Sequence, residues 1–230
     1  MRLTYEITDS VATIAMNDGK VNALGFEMLA ELNEALDRAE SDNAAVVLTG
    51  REGLFSAGFD LRVLTAGGPD TAHLLNTGFE LSHRLLSFPL PVVIACSGHA
   101  FAMAVFTLLS GDYRLGVLDA EHKLTANEVA IGMTMPRSAI EVCRQRLSPE
   151  HIDRVVVLAE VFNPNSAVRT GLLDEVVPAA DLLGAAHAKA SELMALNRPA
   201  FAATKLRLRG VALSRLRSAM EADDAELRSL

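Results

Sequence analysis

Apolar and polar residues alternate along Val11–Met16, VATIAM, the period of a strand with one face buried, and Asn17, Asp18 and Gly19 then supply a tight turn. From Phe26 the period lengthens. Leu29, Leu32 and Leu36 share one face while Glu27, Glu31, Glu34 and Asp37 lie elsewhere, which predicts an amphipathic helix. Residues 44–50, AAVVLTG, form a short β-branched run, a buried strand that feeds the stretch EGLFSAGFDL at 52–61. Small and apolar, that stretch reads as a loop whose main chain lies bare.

The order then repeats. A helical stretch around 77–86 gives way to the buried strand PVVIACSG at 91–98, HAFAMAVFTLLSGD reads as a helix, and YRLGV as a strand. Past Pro136 the pattern turns helical. Ser148 and Pro149 stand as N-cap and first-turn proline of a helix reaching about Glu160. A short helix at 165–171 ends on glycine, another follows at 179–196, and the last thirty or so residues make one or two more. Between them GLLDEVVP gives a turn and a short strand. Strands alternating with helices predict an α/β domain with mainly parallel pairing, whose ligands bind where strands end.

Composition narrows the class. Of 230 residues half are hydrophobic and 22% charged, so the chain folds, as one domain or one with a small appendage. A net charge of -8 argues against a nucleic-acid surface. Lys205, Arg207, Arg209, Arg215 and Arg217 form a late basic stripe, read as a solvated helix face. Cys96 and Cys143 sit inside apolar runs with no metal or disulfide spacing, which fits a reducing cytosol. The first ten residues lack the pattern of a signal or transit peptide, and the longest apolar run, 100–109, is too short to span a bilayer. A soluble, cytoplasmic protein with no membrane partner is expected.

Dinucleotide, Walker and HExxH signatures are missing, and no metal is expected. His99 reads as a loop histidine bonding locally and Cys96 as a small core residue. What stands out is the bare loop after the second strand, because exposed main-chain N–H groups can hold a developing negative oxygen.

FSAGFDL, SGHAFAMAVF followed by GDYRLG, and NEVAIG, flanked by GKVNALG and NSAVRTGLLDEVVP, resemble in order and spacing the signatures of the enoyl-CoA hydratase/isomerase (crotonase) superfamily. The resemblance covers nearly the whole chain. It implies an α/β fold, a crotonase-like spiral of ββα units over residues 1–178, with a helical C-terminal region, 179–230, that assembles trimers or pairs of trimers. It implies an acyl-CoA substrate, coenzyme A entering as part of that substrate and no separate cofactor.

By the same resemblance the N–H groups of Ala57 and Met103 form an oxyanion hole for the thioester oxygen. Lys20, Val21 and Ala23, with Ala57, Gly58, Phe59 and Asp60, lie along the coenzyme A moiety. Glu128 of NEVAIG matches one catalytic glutamate, and its apolar neighbours Val129, Ala130, Ile131 and Met133 would raise its pKa. The chain departs from the family twice. Ala102, Met103 and Ala104 replace a glycine cluster and would forbid glycine-only conformations, and Phe106 stands where hydratases carry a second glutamate. One carboxylate suffices for a proton shuttle, so the resemblance points to a 3,2-trans-enoyl-CoA isomerase. A hydratase using Glu128 alone and a non-catalytic acyl-CoA-binding protein of the same fold are the alternatives. Phe55, Phe59, Leu61, Leu64 and Phe106 are candidates for an acyl channel, although core packing accounts for each as well. Asp60 suits a helix N-cap, and Asp112 a turn or a pair with Arg114.

Overall fold

The computed structural model describes residues 2–228; Met1, Ser229 and Leu230, at the outer ends of the two expected regions, lie outside the described residues. VATIAM is the second strand of a hairpin: β1 (Leu3–Thr8) runs antiparallel to β2 (Val11–Met16). β1 escaped the sequence reading because one side of it is wet along most of its length.

Three similar units follow, and each spends its two strands on two different sheets. α1 (Phe26–Ser41) leads to β3 (Ala45–Thr49) and β4 (Gly53–Ser56), then α2 (Leu61–Ala66) and α3 (Gly68–Ser87). β5 (Val92–Cys96), β6 (Gly98–Phe101) and α4 (Met103–Leu109) form the next, and β7 (Tyr113–Val117) with β8 (Leu124–Thr125) the last. The first strand of each unit joins a six-stranded sheet ordered β1-β2-β3-β5-β7-β9, where β9 is Glu175–Val177, and the second joins a three-stranded sheet ordered β4-β6-β8. Apart from β1–β2, these pairings are parallel. This is the spiral that the resemblance implied. It corrects the local reading at two places: the supposed loop at 52–61 begins as β4, and the start of the supposed helix, 99–101, belongs to β6. The step between sheets is tight. A Cβ on Gly98 would fall 1.8 Å from the carbonyl carbon of Gly53, so only glycine lets β6 lie against β4.

The large sheet is covered on both faces, which explains why its inner strands are continuously apolar rather than alternating. Val46, Leu48, Val92 and Ile94 face the main core, and Val47, Val93 and Ala95 face a second cluster closed by Leu182, Ala186 and Ala190. Those three residues belong to α8 (Leu182–Met194), which a 3-10 turn, Ala179–Asp181, precedes. The other helices are α5 (Arg137–Arg144), α6 (Pro149–Val156), α7 (Pro164–Thr170) and α9 (Arg198–Leu227). Asn163 caps α7 by accepting from the Ser166 N–H at 2.8 Å. Ser148 occupies the N-cap position of α6, but its hydroxyl meets His151 Nδ1 at 2.8 Å instead of a helix amide.

Where one or two helices were expected, Arg198–Leu227 form the single helix α9, lying along α3 and α5. Its basic stripe is not wholly solvated. Lys205 and Arg209 turn inward, where Lys205 Nζ and Arg209 Nη1 reach Asp112 at 2.7 and 2.8 Å, and burial pushes the Lys205 pKa down to about 8. Asp112 therefore meets the N-terminal half of α9 and not Arg114, which pairs with Asp174 at 2.7 Å. Among the described residues no helix is long and apolar enough to cross a membrane.

Candidate active site

The three parallel strands of the small sheet end side by side, which brings three distant sequence segments to one place. Ser56 pairs with Ala100 and Phe101 with Thr125, so the residues after each strand, 57–60, 102–103 and 127–128, emerge together. Their approach is close. Gly58 has φ +86°, and a Cβ there would stand 2.6 Å from the Phe101 carbonyl oxygen and 3.2 Å from Met103 N. A Gly58→Ala variant should lose about 2 kcal/mol from the left-handed backbone and the clash, and about a hundredfold in turnover as the two loops part, read by thermal unfolding and by rate. Wild-type values for both would remove Gly58 from this role.

Ala102 corrects an expectation. Instead of forbidding the glycine conformation, it adopts it, with φ 50° and ψ -122°, held by its N–H on the Thr125 carbonyl at 2.9 Å and its carbonyl on Val105 N–H at 2.8 Å. Such backbone strain persists only where the surroundings impose it. Here it turns the chain so that Met103 becomes the first residue of α4, whose N–H has no carbonyl within its own helix to receive it.

The other expected donor is engaged. Ala57 N–H donates to the Val21 carbonyl at 3.0 Å, and Gly58 N–H to Ser56 Oγ at 3.1 Å. The turn carrying Lys20, Val21 and Ala23 is fastened to the end of β4 by a residue the sequence reading passed over. Asn22 is fully buried, donates from Nδ2 to the carbonyls of Met16 and Phe55 at 3.0 and 3.1 Å, and accepts Ser56 Oγ on its own carbonyl at 2.7 Å. Lys20 and Val21 are exposed at the surface of this turn. Asp60 caps α2, accepting the Arg62 N–H at 3.0 Å.

Behind these loops lies a cavity of about 250 Å³, almost wholly apolar. Ala57, Phe59, Leu61, Leu64 and Phe106 line it, joined by Glu128. Phe55, Lys20, Val21, Ala23, Gly58, Asp60 and the Met103 side chain are not part of its wall; Phe55 is core. Phe79 of α3, which no sequence signal marked, sets its ring 5.9 Å from that of Phe106, tilted, and 6.3 Å from that of Phe59, edge to face. The aromatic floor therefore comes from three elements.

Glu128 is 6% exposed, its Oε2 has no hydrogen-bond partner, and burial pushes its pKa up to about 7. The source of that burial differs from the expectation. Val129, Ala130 and Ile131 are all exposed, and it is the rest of the cavity wall, with Phe106 and Met133 among it, that excludes water. Asn127, also in the wall, likewise has a buried Oδ1 without a partner. A carboxyl whose pKa is raised toward neutrality, with a bare oxygen facing an apolar chamber beside main-chain donors, can take a proton from carbon and give it back.

Comparison with known proteins agrees with this geometry. A family model described as enoyl-CoA hydratase/isomerase matches residues 6–230. Human mitochondrial enoyl-CoA delta isomerase 1 is 30% identical over 93% of this chain and 72% of its own. Among solved structures, an enoyl-CoA isomerase of Mycobacterium tuberculosis is 43% identical, with a TM-score of 0.94 over 98% of both chains. An enoyl-CoA hydratase of Mycobacterium marinum is 45% identical, with a TM-score of 0.95 over 99% of this chain and 100% of its own. With its spiral fold, its converging loops and its buried glutamate, the chain belongs to the enoyl-CoA hydratase/isomerase family of acyl-CoA enzymes.

Proposed function

We propose that this protein shifts the double bond of a 3-enoyl-CoA to the 2,3 position, with Glu128 as the proton shuttle. The observation that carries this reading is a single buried carboxylate, bare at Oε2, in a chamber where Phe106 supplies hydrocarbon instead of a second acid. The thioester oxygen sits against Met103 N–H and Ala57 N–H, the latter exchanging the Val21 carbonyl for the ligand as the half-exposed turn yields. Donors fixed around that oxygen stabilise the enolate by about 3 kcal/mol each. Glu128 takes a proton from C2, and the same carboxyl returns it to C4.

Lys20, exposed on the turn, is positioned to meet a phosphate of coenzyme A, with Val21 and Ala23 beside the nucleotide and Gly58, Phe59 and Asp60 along its path. The C-terminal region, 179–230, serves assembly into trimers, for which the exposed Leu206, Leu208 and Val211 of α9 offer an apolar surface. Two free, buried thiols suit a cytoplasmic setting.

The test is conversion of a 3-enoyl-CoA to its conjugated 2-enoyl isomer, followed by absorbance across pH. Because the base acts when ionised and its pKa is raised to about 7, kcat/KM should climb with pH and level off above about 7. Tight acyl-CoA binding without turnover at any pH would refute the reading.

A further inference from the structure

Gly78 lies in the middle of α3, buried, at a place where glycine is less favourable than alanine because it must order a freer backbone. The main chain there is ordinary right-handed helix, so conformation does not call for glycine. A ring does. A Cβ on Gly78 would stand 2.3 Å from Cε1 and 2.4 Å from Cζ of Phe59, far inside contact distance.

The Phe59 main chain has no freedom to retreat. It bridges Leu24, whose N–H donates to the Gly58 carbonyl at 2.8 Å. On the core side the ring meets Phe79 edge to face, and Met103 Cε lies 3.5 Å from the same Cβ position on Gly78. The empty side is the cavity, of whose wall Phe59 is part, together with Leu75 and Phe79 from the same face of α3 as Gly78. A methyl group added at Gly78 therefore drives the Phe59 ring into the cavity. A methylene takes about the space of a water, roughly 30 Å³, so the cavity of about 250 Å³ holds about eight non-hydrogen atoms.

We propose that Gly78 is a positioning residue for selection of acyl-chain length. The place of its missing Cβ holds the Phe59 ring back, and the space so kept open takes acyl chains of about six to eight carbons and rejects those of about twelve. The inference rests on the reading that an acyl-CoA is the substrate and lays its chain in this cavity, and it deepens that reading by naming the class of chain.

The experiment uses the full chain and reads binding and turnover separately. Calorimetry gives affinities for butanoyl-, hexanoyl-, octanoyl-, decanoyl- and dodecanoyl-CoA, and absorbance follows isomerisation of the 3-enoyl-CoAs of the same lengths. Wild-type affinity should rise as far as octanoyl-CoA and fall at least about tenfold by dodecanoyl-CoA. In Gly78→Ala the ratio of octanoyl to butanoyl affinity should drop about fifteenfold, the effect of two methylenes denied burial at about fourfold each, and in turnover the change should appear in KM for trans-3-octenoyl-CoA. Phe59→Leu in the Gly78→Ala background should restore the ratio. Phe59→Leu alone should move the optimum about two carbons longer, which tests the same space should Gly78→Ala not fold. Level wild-type affinity from hexanoyl- to dodecanoyl-CoA, or a wild-type length profile in Gly78→Ala or in Phe59→Leu, overturns the inference and leaves the isomerase reading standing. The expected length profiles without turnover of any 3-enoyl-CoA overturn the isomerase reading and support this one.

Discussion

Glu128→Gln should lower isomerisation by roughly a thousandfold and at the same time make the folded chain more stable at about pH 8. The first effect follows because an amide cannot accept a proton from carbon. The second follows from linkage. Burial raises the Glu128 pKa from 4.5 to about 7, so the folded chain binds that proton more tightly than the unfolded one. The stability linked to this proton is fully present below the unfolded value of 4.5 and is lost as pH rises through about 7, up to about 3 kcal/mol in all. Glutamine carries no such proton, so the variant should show a flatter profile of melting temperature against pH between about 5 and about 8. Equal slopes for variant and wild type would mean that the carboxylate is not buried in solution. Unchanged turnover would mean that it is not the base.

Asp112→Ala should cost about 3–5 kcal/mol of folding stability with no direct effect on the chemistry. Asp112 and Lys205 have side chains only 8% and 4% exposed, and the carboxylate also accepts the Val92 N–H at 2.8 Å and the Arg209 guanidinium. Its removal strands two buried cations and an amide at the point where α9 meets the sheet. Combining Asp112→Leu with Lys205→Met removes both charges and should recover much of the loss, which denaturant unfolding of the three variants measures. A loss under about 1 kcal/mol for Asp112→Ala would place the cluster in solvent instead.

This pair marks a boundary of sequence reading. Lys205 and Asp112 lie 93 residues apart, and the helical period of α9 shows a basic stripe without showing which of its members turn inward. Arg207 and Arg215 are exposed as the stripe implies, whereas Lys205 is buried, because α9 packs along α3 and α5 and local periodicity does not encode which of its faces they cover. The inner strands of the large sheet were legible, since burial on both faces leaves an unbroken apolar run such as Val46, Val47 and Leu48, whereas its half-wet edge strand β1 was not. β4 and β6 were not: four residues each, full of small side chains, they present no period and owe their strand form to each other. Phe79 and Asn22 were invisible for the same reason, one arriving from a helix whose apolar face looks like any other, the other a turn asparagine.

Glu128 stands between these cases. Its segment could be picked out by resemblance, and the direction of its pKa shift was foreseen from apolar neighbours, although Val129 and Ala130 turn out to face solvent.

By itself the sequence determined the alternation of strands and helices, the apolar content that commits the chain to fold, and the short signatures that place it in its family. These are properties of neighbours along the chain, carried by side-chain size, polarity and period. Only the tertiary structure decided that Ala102 takes a left-handed turn despite its methyl group, that the Val21 carbonyl rests on Ala57 N–H, and that Asn127 and Glu128 share one mostly apolar chamber. Each of those depends on segments dozens of residues apart being pressed together by burial of a common core, and no local pattern records the energy of that packing.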